Sequence, residues 1–316
     1  MRFLVTGGCG FIGSHLCDEL LRQGHKVRIF DNLSTGLLAN KPARAEFIEG
    51  DIRDRAALAS ALMDTDACFH LAAVASVDES TRNWVDTHRV NQTATITLFD
   101  LARATTNSRL PKPVVYASSA AVYGDQGSEP IDEKASAMPI SAYGADKLGC
   151  DHHASVAGRV HGLPVTGLRF FNVYGPRQRP ESPYSGVISI FCDRMAAGQS
   201  VTIFGDGHQT RDFVYVSDVV EALILAMDKV SPDASLFNIC TGQNTSIQTL
   251  ARTISRLLGK IPRWDYQPAR LGDIQTSVGD PTRAYEVLGF LARTPLESGL
   301  AAILEKMMHR ELILAK

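Results

Sequence analysis

The chain has 316 residues, 45% of them hydrophobic, and its 32 basic and 34 acidic side chains leave a net charge of −2. That is ordinary globular material, long enough for one large core or two smaller ones. Near-neutrality offers no general attraction to nucleic acid or to an anionic membrane, so an anionic ligand has to be held by a few placed cations.

From the N-terminus, short β-branched runs alternate with helical patterns. "RFLVT" is followed by a helix from about Ile12 to Arg22, then "KVRIF", "EFIEG", a helix near Asp54 to Met63, and "ACFHLAA". A long helix is predicted from about Asn83 to Ala104, then "PVVYASS", a helix from about Ala142 to Val160, and "PVTGLRF". Strands alternating with helices imply right-handed crossovers and a doubly wound α/β domain with a parallel sheet covered on both faces.

After Phe170 the rhythm loosens into "NVYGPRQRPESPYSG" and shorter elements: helices near Val187 to Ala197, Val216 to Met227, Ile247 to Leu258, Arg283 to Leu288 and Leu296 to Met308, with "SVTIF", "DFVYV" and "LFNIC" between them. The expected organisation is a dinucleotide-binding domain over residues 1–170 and a smaller C-terminal substrate lobe over 171–316, with a segment near 212–230 returning to the first domain. Neither internal repeats nor low-complexity tracts are visible.

Six cysteines (Cys9, Cys17, Cys68, Cys150, Cys192, Cys240) lack paired or metal-ligating spacing and read as reduced core residues. His152 and His153 read as a helix-surface pair, so no metal is expected. Glycines follow the first apolar residues too soon for a secretory signal, and no later run approaches a membrane span. The expected location is the cytosol.

"VTGGCGFIG" joins the first strand to the first helix and parses as Gly8-x-Gly10-x-x-Gly13 or Gly7-x-x-Gly10-x-x-Gly13. Glycines here let the backbone N–H groups, including those of Phe11 and Ile12, approach a pyrophosphate at the positive end of the helix. The second strand ends in Asp31, where a carboxylate accepts from both ribose hydroxyls and repels a 2′-phosphate; the pattern predicts NAD rather than NADP. Asp51 and Ile52, after the third strand, are candidates for the adenine end, although Asp51 could equally start the helix after it.

"PVVYASS" ends in Ser118 and Ser119, and the next helix carries Tyr143 and Lys147, four apart and therefore on one face. With 8 tyrosines in 316 residues, chance supplies such a Tyr-x-x-x-Lys pair about 0.2 times, so it gains meaning only beside the glycine turn. A phenol is a poor base at neutral pH, but a neighbouring ammonium and a cationic nicotinamide favour its phenolate. Tyr143 then takes a proton from a substrate hydroxyl as hydride leaves the carbon, Ser119 hydrogen-bonds the same oxygen, and Lys147 also holds the nicotinamide ribose.

Taken together, "TGGCGFIGSHL", "FDNLSTG", "GDIRD", "HLAA", "SSAAVYG", "YGADK", "RFFNVYGPRQ", "RDFVYVSDV" and "RLGD" run in order along nearly the whole chain. The sequence resembles the extended short-chain dehydrogenases/reductases, and among them the nucleotide-sugar epimerases related to UDP-glucose 4-epimerase. That resemblance implies a Rossmann fold, NAD as cofactor, a UDP-sugar substrate and a homodimer. It adds Asn32, Ser34 and Gly36 to the adenosine side and Leu71, Ala72, Ala73, Asn91 and Phe170 to the rest of the dinucleotide site. For the substrate it implies Asn172 at the diphosphate, Val187 and Phe204 at the uracil, and Arg211, Arg270 and Asp273 at the diphosphate and nucleoside ribose. Two guanidiniums there supply bidentate anion binding; the same arginines could instead be surface salt-bridge partners.

Related dehydratases carry Asp-Glu directly after the Ser/Thr, and UDP-glucuronate decarboxylases a Glu at the second position. This chain has Ala120 and Ala121, so the resemblance implies a 4-keto sugar that is reduced again on its other face. Ser277 falls at the family's gatekeeper position beside the sugar's 2-substituent, where a small residue leaves room for an N-acetyl group and predicts that UDP-GlcNAc and UDP-GalNAc are accepted with UDP-Glc and UDP-Gal. The helices near Asn83 to Ala104 and Ala142 to Val160 could pair between subunits, although both also cover the sheet. A catalytically idle NAD-binding regulator and a reductase or epimerase acting on dTDP-, GDP- or uronic sugars are the competing readings.

Overall fold

The computed structural model describes residues 1–103, 110–180, 186–269 and 274–314. Its centre is a seven-stranded sheet made of β1 (Arg2–Thr6), β2 (Lys26–Asp31), β3 (Glu46–Glu49), β4 (Ala67–His70), β5 (Val114–Ser119), β6 (Val165–Phe170) and a strand later in the chain, Ser235–Ile239. The order is that late strand, then β6-β5-β4-β1-β2-β3, and every pairing is parallel. Strand order therefore reverses between β1 and β4, the crevice where ligands of open α/β sheets bind.

The period-2 alternation of β1 sends its side chains to two different cores. Phe3 and Val5 join the cluster under α1 (Phe11–Arg22), while Leu4 joins the one under α2 (Arg55–Leu62), α5 (Ala94–Ala102) and α6 (Ala142–His161). Both faces being covered explains why the strands read as near-continuous apolar runs.

Two short helices, α3 (Val77–Arg82) and α4 (Trp84–His88), lead into α5. The long helix expected over residues 83–104 runs without a break from Trp84 to Ala102 and holds one π-helical turn, Arg89–Thr93, between α4 and α5, and Ala104 lies outside the described residues. The widened turn directs the buried Asn91 inward, where its amide exchanges two hydrogen bonds with the backbone of Val74. Bulges of this kind recur at functional sites. No apolar period marks "VDESTR", so α3 was not legible; Ser76 caps it by accepting from the Glu79 N–H.

Beyond β6 run β7 (Asn172–Tyr174), α7 (Val187–Ala196), β8 (Val201–Phe204), β9 (Thr210–Arg211), β10 (Phe213–Tyr215) and α8 (Val216–Asp228). Then come β11 (Ser235–Ile239), β12 (Thr245–Ser246), α9 (Ile247–Leu257), β13 (Trp264–Gln267), β14 (Thr276–Ser277) and α10 (Leu296–Leu314). Helix α8 packs back on α1 through Val219, Val220, Leu223 and Met227. The sheet also takes β11, from residues expected in the second lobe: its buried Phe237 and Ile239 fit the exposed edge of β6. A separate core of Phe191, Ile203, Leu250, Ile254, Leu300 and Leu304 joins α7, β8, α9 and α10 into the smaller layer. No helix among the described residues is long and apolar enough to cross a membrane.

Candidate active site

The glycine turn lies at the carboxyl edge of β1. A Cβ on Gly13 would collide with the carbonyl oxygen of Gly7, so only glycine lets α1 start this close under the strand. Gly10 is the N-cap of α1 and makes no side-chain capping bond, which leaves the first-turn N–H groups of Phe11 and Ile12 available to an anion. Asp31 is only 8% exposed; its carboxylate accepts from the Cys9 N–H at 2.9 Å and the Leu33 N–H at 2.8 Å. One lone pair on each oxygen is committed to the backbone, and the others are available to hydroxyl donors. The loop carrying Asn32, Ser34 and Gly36 folds over Cys9, whose carbonyl accepts from Leu37 N–H and from the Asn40 amide.

Asp51 is not the helix-starting residue: Asp54 caps α2, accepting from the Ala56 and Ala57 N–H groups. Asp51 instead accepts from the Arg53 guanidinium at 2.7 Å and from the Asn32 amide at 3.1 Å, and the Arg53 hydrogen bonds push its carboxyl down to about 2. Ile52 is buried beside it. Across the crevice, the N–H groups of Leu71 and Ala72 are fixed by Thr6, and Asn91 holds Val74, the residue after Ala73. Phe170 closes β6 as a buried ring.

Ser119 ends β5, and its Oγ accepts from the Ala121 N–H at 3.1 Å, which leaves the hydroxyl hydrogen to donate elsewhere. Helix α6 is capped by Ser141, which accepts from Gly144 N–H at 3.1 Å. A Cβ on Gly144 would run into the carbonyl oxygen of Ala121, so glycine permits the start of α6 to touch the turn after Ser119. That contact puts the first turn of α6, which carries Tyr143, against the turn that follows Ser119. The backbone N–H of Tyr143 also donates to Ser80 Oγ at 3.2 Å, a role for α3 that no local sequence signal carries.

Lys147 is 3% exposed. Its Nζ donates to the Ala117 carbonyl at 2.8 Å and stands 5.9 Å from the centre of the Tyr143 ring. Two ammonium hydrogens remain for other acceptors. One turn of α6 carries the phenol and the cation, and the end of β5 carries the hydroxyl at the same sheet edge as the glycine turn.

On the other wall, Asn172 is exposed and its N–H donates to the Asp212 carbonyl. Asp212 N–H in turn donates to the carbonyl of Ser277 at 2.9 Å, so β7, β9 and β14 are held in one small patch. The buried Asp212 carboxylate collects Thr241 N–H and O–H and Gly242 N–H, all within 2.8 Å; burial raises its pKa against those bonds. Arg211 is half-buried, with Nη1 on the carbonyls of Thr210 and Ile274. Val187 opens α7, Phe204 ends β8, and Ser277 is half-buried. Arg270 and Asp273 lie outside the described residues. No cluster of three His, Cys, Asp or Glu residues with metal-binding geometry occurs among the described residues.

The family model of the NAD dependent epimerase/dehydratase family matches residues 3–240. The chain belongs to this family. It is 37% identical over 312 residues to a UDP-glucose 4-epimerase of Mycolicibacterium smegmatis, covering 96% of this chain and 98% of that one. Among solved structures it superposes on a UDP-glucose 4-epimerase of Thermotoga maritima with UDP-glucose at a TM-score of 0.93, with 37% identity over 98% of this chain and 100% of the other. A UDP-N-acetylglucosamine 4-epimerase of Methanobrevibacter ruminantium in complex with UDP-N-acetylmuramic acid gives 0.91, with 35% identity over 98% of each chain. This family uses NAD, and the uncapped α1 terminus, the glycine turn and Asp31 fit that dinucleotide.

Proposed function

We propose that the protein interconverts the C4 epimers of a UDP-hexose through a transient 4-keto sugar. The observation that carries this reading is the convergence of Ser119, Tyr143 and the buried Lys147 at one sheet edge, with Ala120 and Ala121 where a related dehydratase would hold acids.

Bound NAD supplies the acceptor and donor of hydride at carbon 4. Tyr143 takes the proton from the 4-hydroxyl, and the nearby Lys147 ammonium stabilises the phenolate that receives it. Ser119 donates its free hydrogen to the same oxygen and shortens the path of the proton. Asn172, Arg211, Arg270 and Asp273 hold the diphosphate and ribose, and Val187 and Phe204 flank the uracil, so the sugar turns about a fixed anchor. With alanines at 120 and 121, no carboxylate from that turn reaches carbon 5, and the ketone is reduced rather than dehydrated.

Ser277 extends the reading to 2-acetamido sugars, since a serine leaves space where a tyrosine ring would stand. Incubating purified protein separately with UDP-Glc and with UDP-GlcNAc and resolving the 4-epimers tests both parts. Epimers from both substrates are expected; turnover of neither contradicts the reading. A homodimer through α4, α5 and α6 is part of the same proposal, supported by exposed Trp84 and Val85 on α4 and Val156 and Val160 on α6. Light scattering is expected to give twice the 34.3 kDa chain mass, and a monomer contradicts it.

A further inference from the structure

The strands on either side of the switch point end in two polar side chains that face each other in register, Thr6 on β1 and His70 on β4. His70 is 3% exposed, and both its ring nitrogens are engaged: Nδ1 lies 2.7 Å from Thr6 Oγ1 and Nε2 lies 2.9 Å from Thr95 Oγ1.

The Asn91 carbonyl, which also accepts from Cys150 Sγ at 3.2 Å, selects the arrangement of hydrogens through its much shorter contact with Thr95. Thr95 Oγ1 donates its only hydrogen to the Asn91 carbonyl at 2.5 Å, so towards His70 it can only accept. Nε2 therefore carries the hydrogen. In the neutral ring Nδ1 is then an acceptor, and Thr6 donates to it. With its hydrogen spent, Thr6 Oγ1 uses its lone pairs for the N–H groups of Leu71 at 3.2 Å and Ala72 at 3.3 Å. At the other end, Asn91 exchanges bonds of 2.8 and 3.1 Å with the N–H and C=O of Val74. The chain is fully satisfied and uncharged, and it grips the segment Leu71–Val74 from both sides. Burial, reinforced by the Lys147 charge, keeps the ring neutral.

We propose that His70, as the neutral Nε2–H tautomer, is a positioning residue for the dinucleotide site: through Thr6 and Thr95 it fixes the backbone of Leu71 to Val74 against the glycine turn. His70 touches neither substrate nor cofactor in this role. The inference rests on the reading that Leu71 to Ala73 line the dinucleotide.

Two measurements test it. In nitrogen-15-labelled wild-type protein at pH 7, His70 is expected to show a protonated Nε2 and a bare Nδ1; an Nδ1–H tautomer or an imidazolium overturns the proposal without any variant having to fold. For NAD affinity, His70→Asn keeps an acceptor facing Thr6, His70→Gln keeps only a donor facing Thr95, and Thr6→Val removes the hydroxyl. NAD dissociation constants are expected to rise about tenfold in His70→Gln and Thr6→Val but stay within about twofold in His70→Asn, with kcat at saturating NAD nearly unchanged in all three. Unaltered affinity in both His70→Gln and Thr6→Val overturns the positioning role. Failure of the wild type itself to bind NAD overturns the dinucleotide reading with it.

Discussion

Lys147 Nζ donates to the carbonyl of Ala117, 2.8 Å away and two residues before Ser119 on the same strand. One bond thus ties the helix that carries the phenol to the strand that carries the hydroxyl, and it brings a buried positive charge to the phenol. Lys147→Met keeps the chain length and removes the charge. It is expected to lower kcat by about a hundredfold or more, because the phenolate loses its neighbouring cation. Steady-state kinetics with UDP-glucose checks this, and a loss confined to KM speaks against the proposed role.

Gly144 sets how closely α6 approaches Ser119. On a free helix surface, Gly→Ala stabilises by about 1 kcal/mol. Here the added methyl meets the Ala121 carbonyl oxygen, a backbone atom that cannot step aside without moving Ser119. Gly144→Ala is therefore expected to lower both the melting temperature and kcat, the latter by about tenfold. A variant that melts higher and turns over normally contradicts the contact.

Ser277→Tyr is expected to abolish epimerisation of UDP-GlcNAc and to leave that of UDP-Glc within a few fold. Two parallel assays, one per sugar, check the separation. The backbone of Ser277 is held by Asp212 N–H, so the strand cannot shift away from an added ring without losing that bond. Equal losses with both sugars would place Ser277 away from the 2-substituent.

Burial first, and the Lys147 charge second, lower the His70 pKa to about 3, against roughly 6.5 in an unfolded chain. Between those values the unfolded chain binds a proton that the folded one does not, so stability falls as pH falls from about 6.5 toward 3. One such proton gives a slope of about 1.4 kcal/mol per pH unit. Urea unfolding at pH 6.0 and 4.5 is expected to show a smaller drop in His70→Asn than in wild type, and identical drops contradict a neutral buried ring.

The alternation of strand and helix, the glycine turn and Asp31 were legible in the sequence because each is a local pattern with a local cause. What escaped is held by tertiary contacts. The long helix was legible but not the π-turn that widens it at Asn91, whose amide is bonded to Val74, 17 residues back in the chain. Ser80 lies 63 residues from Tyr143 and carries no motif that points to it. The lobe boundary placed β11 in the second lobe because the interval after Phe170 looks unlike a Rossmann repeat, although the apolar run "LFNIC" suits a buried sheet edge. Thr6 and His70 stood inside quoted motifs, "VTGG" and "HLAA", but their partnership depends on strand register.

The central claim is that the phenolic oxygen of Tyr143 moves the proton on which carbon 4 chemistry depends. Turnover of UDP-glucose by Tyr143→Phe, loaded with NAD to the same extent as wild type, tests it most directly. A loss of kcat of about a thousandfold with cofactor still bound is the predicted result; turnover at the wild-type rate would contradict it.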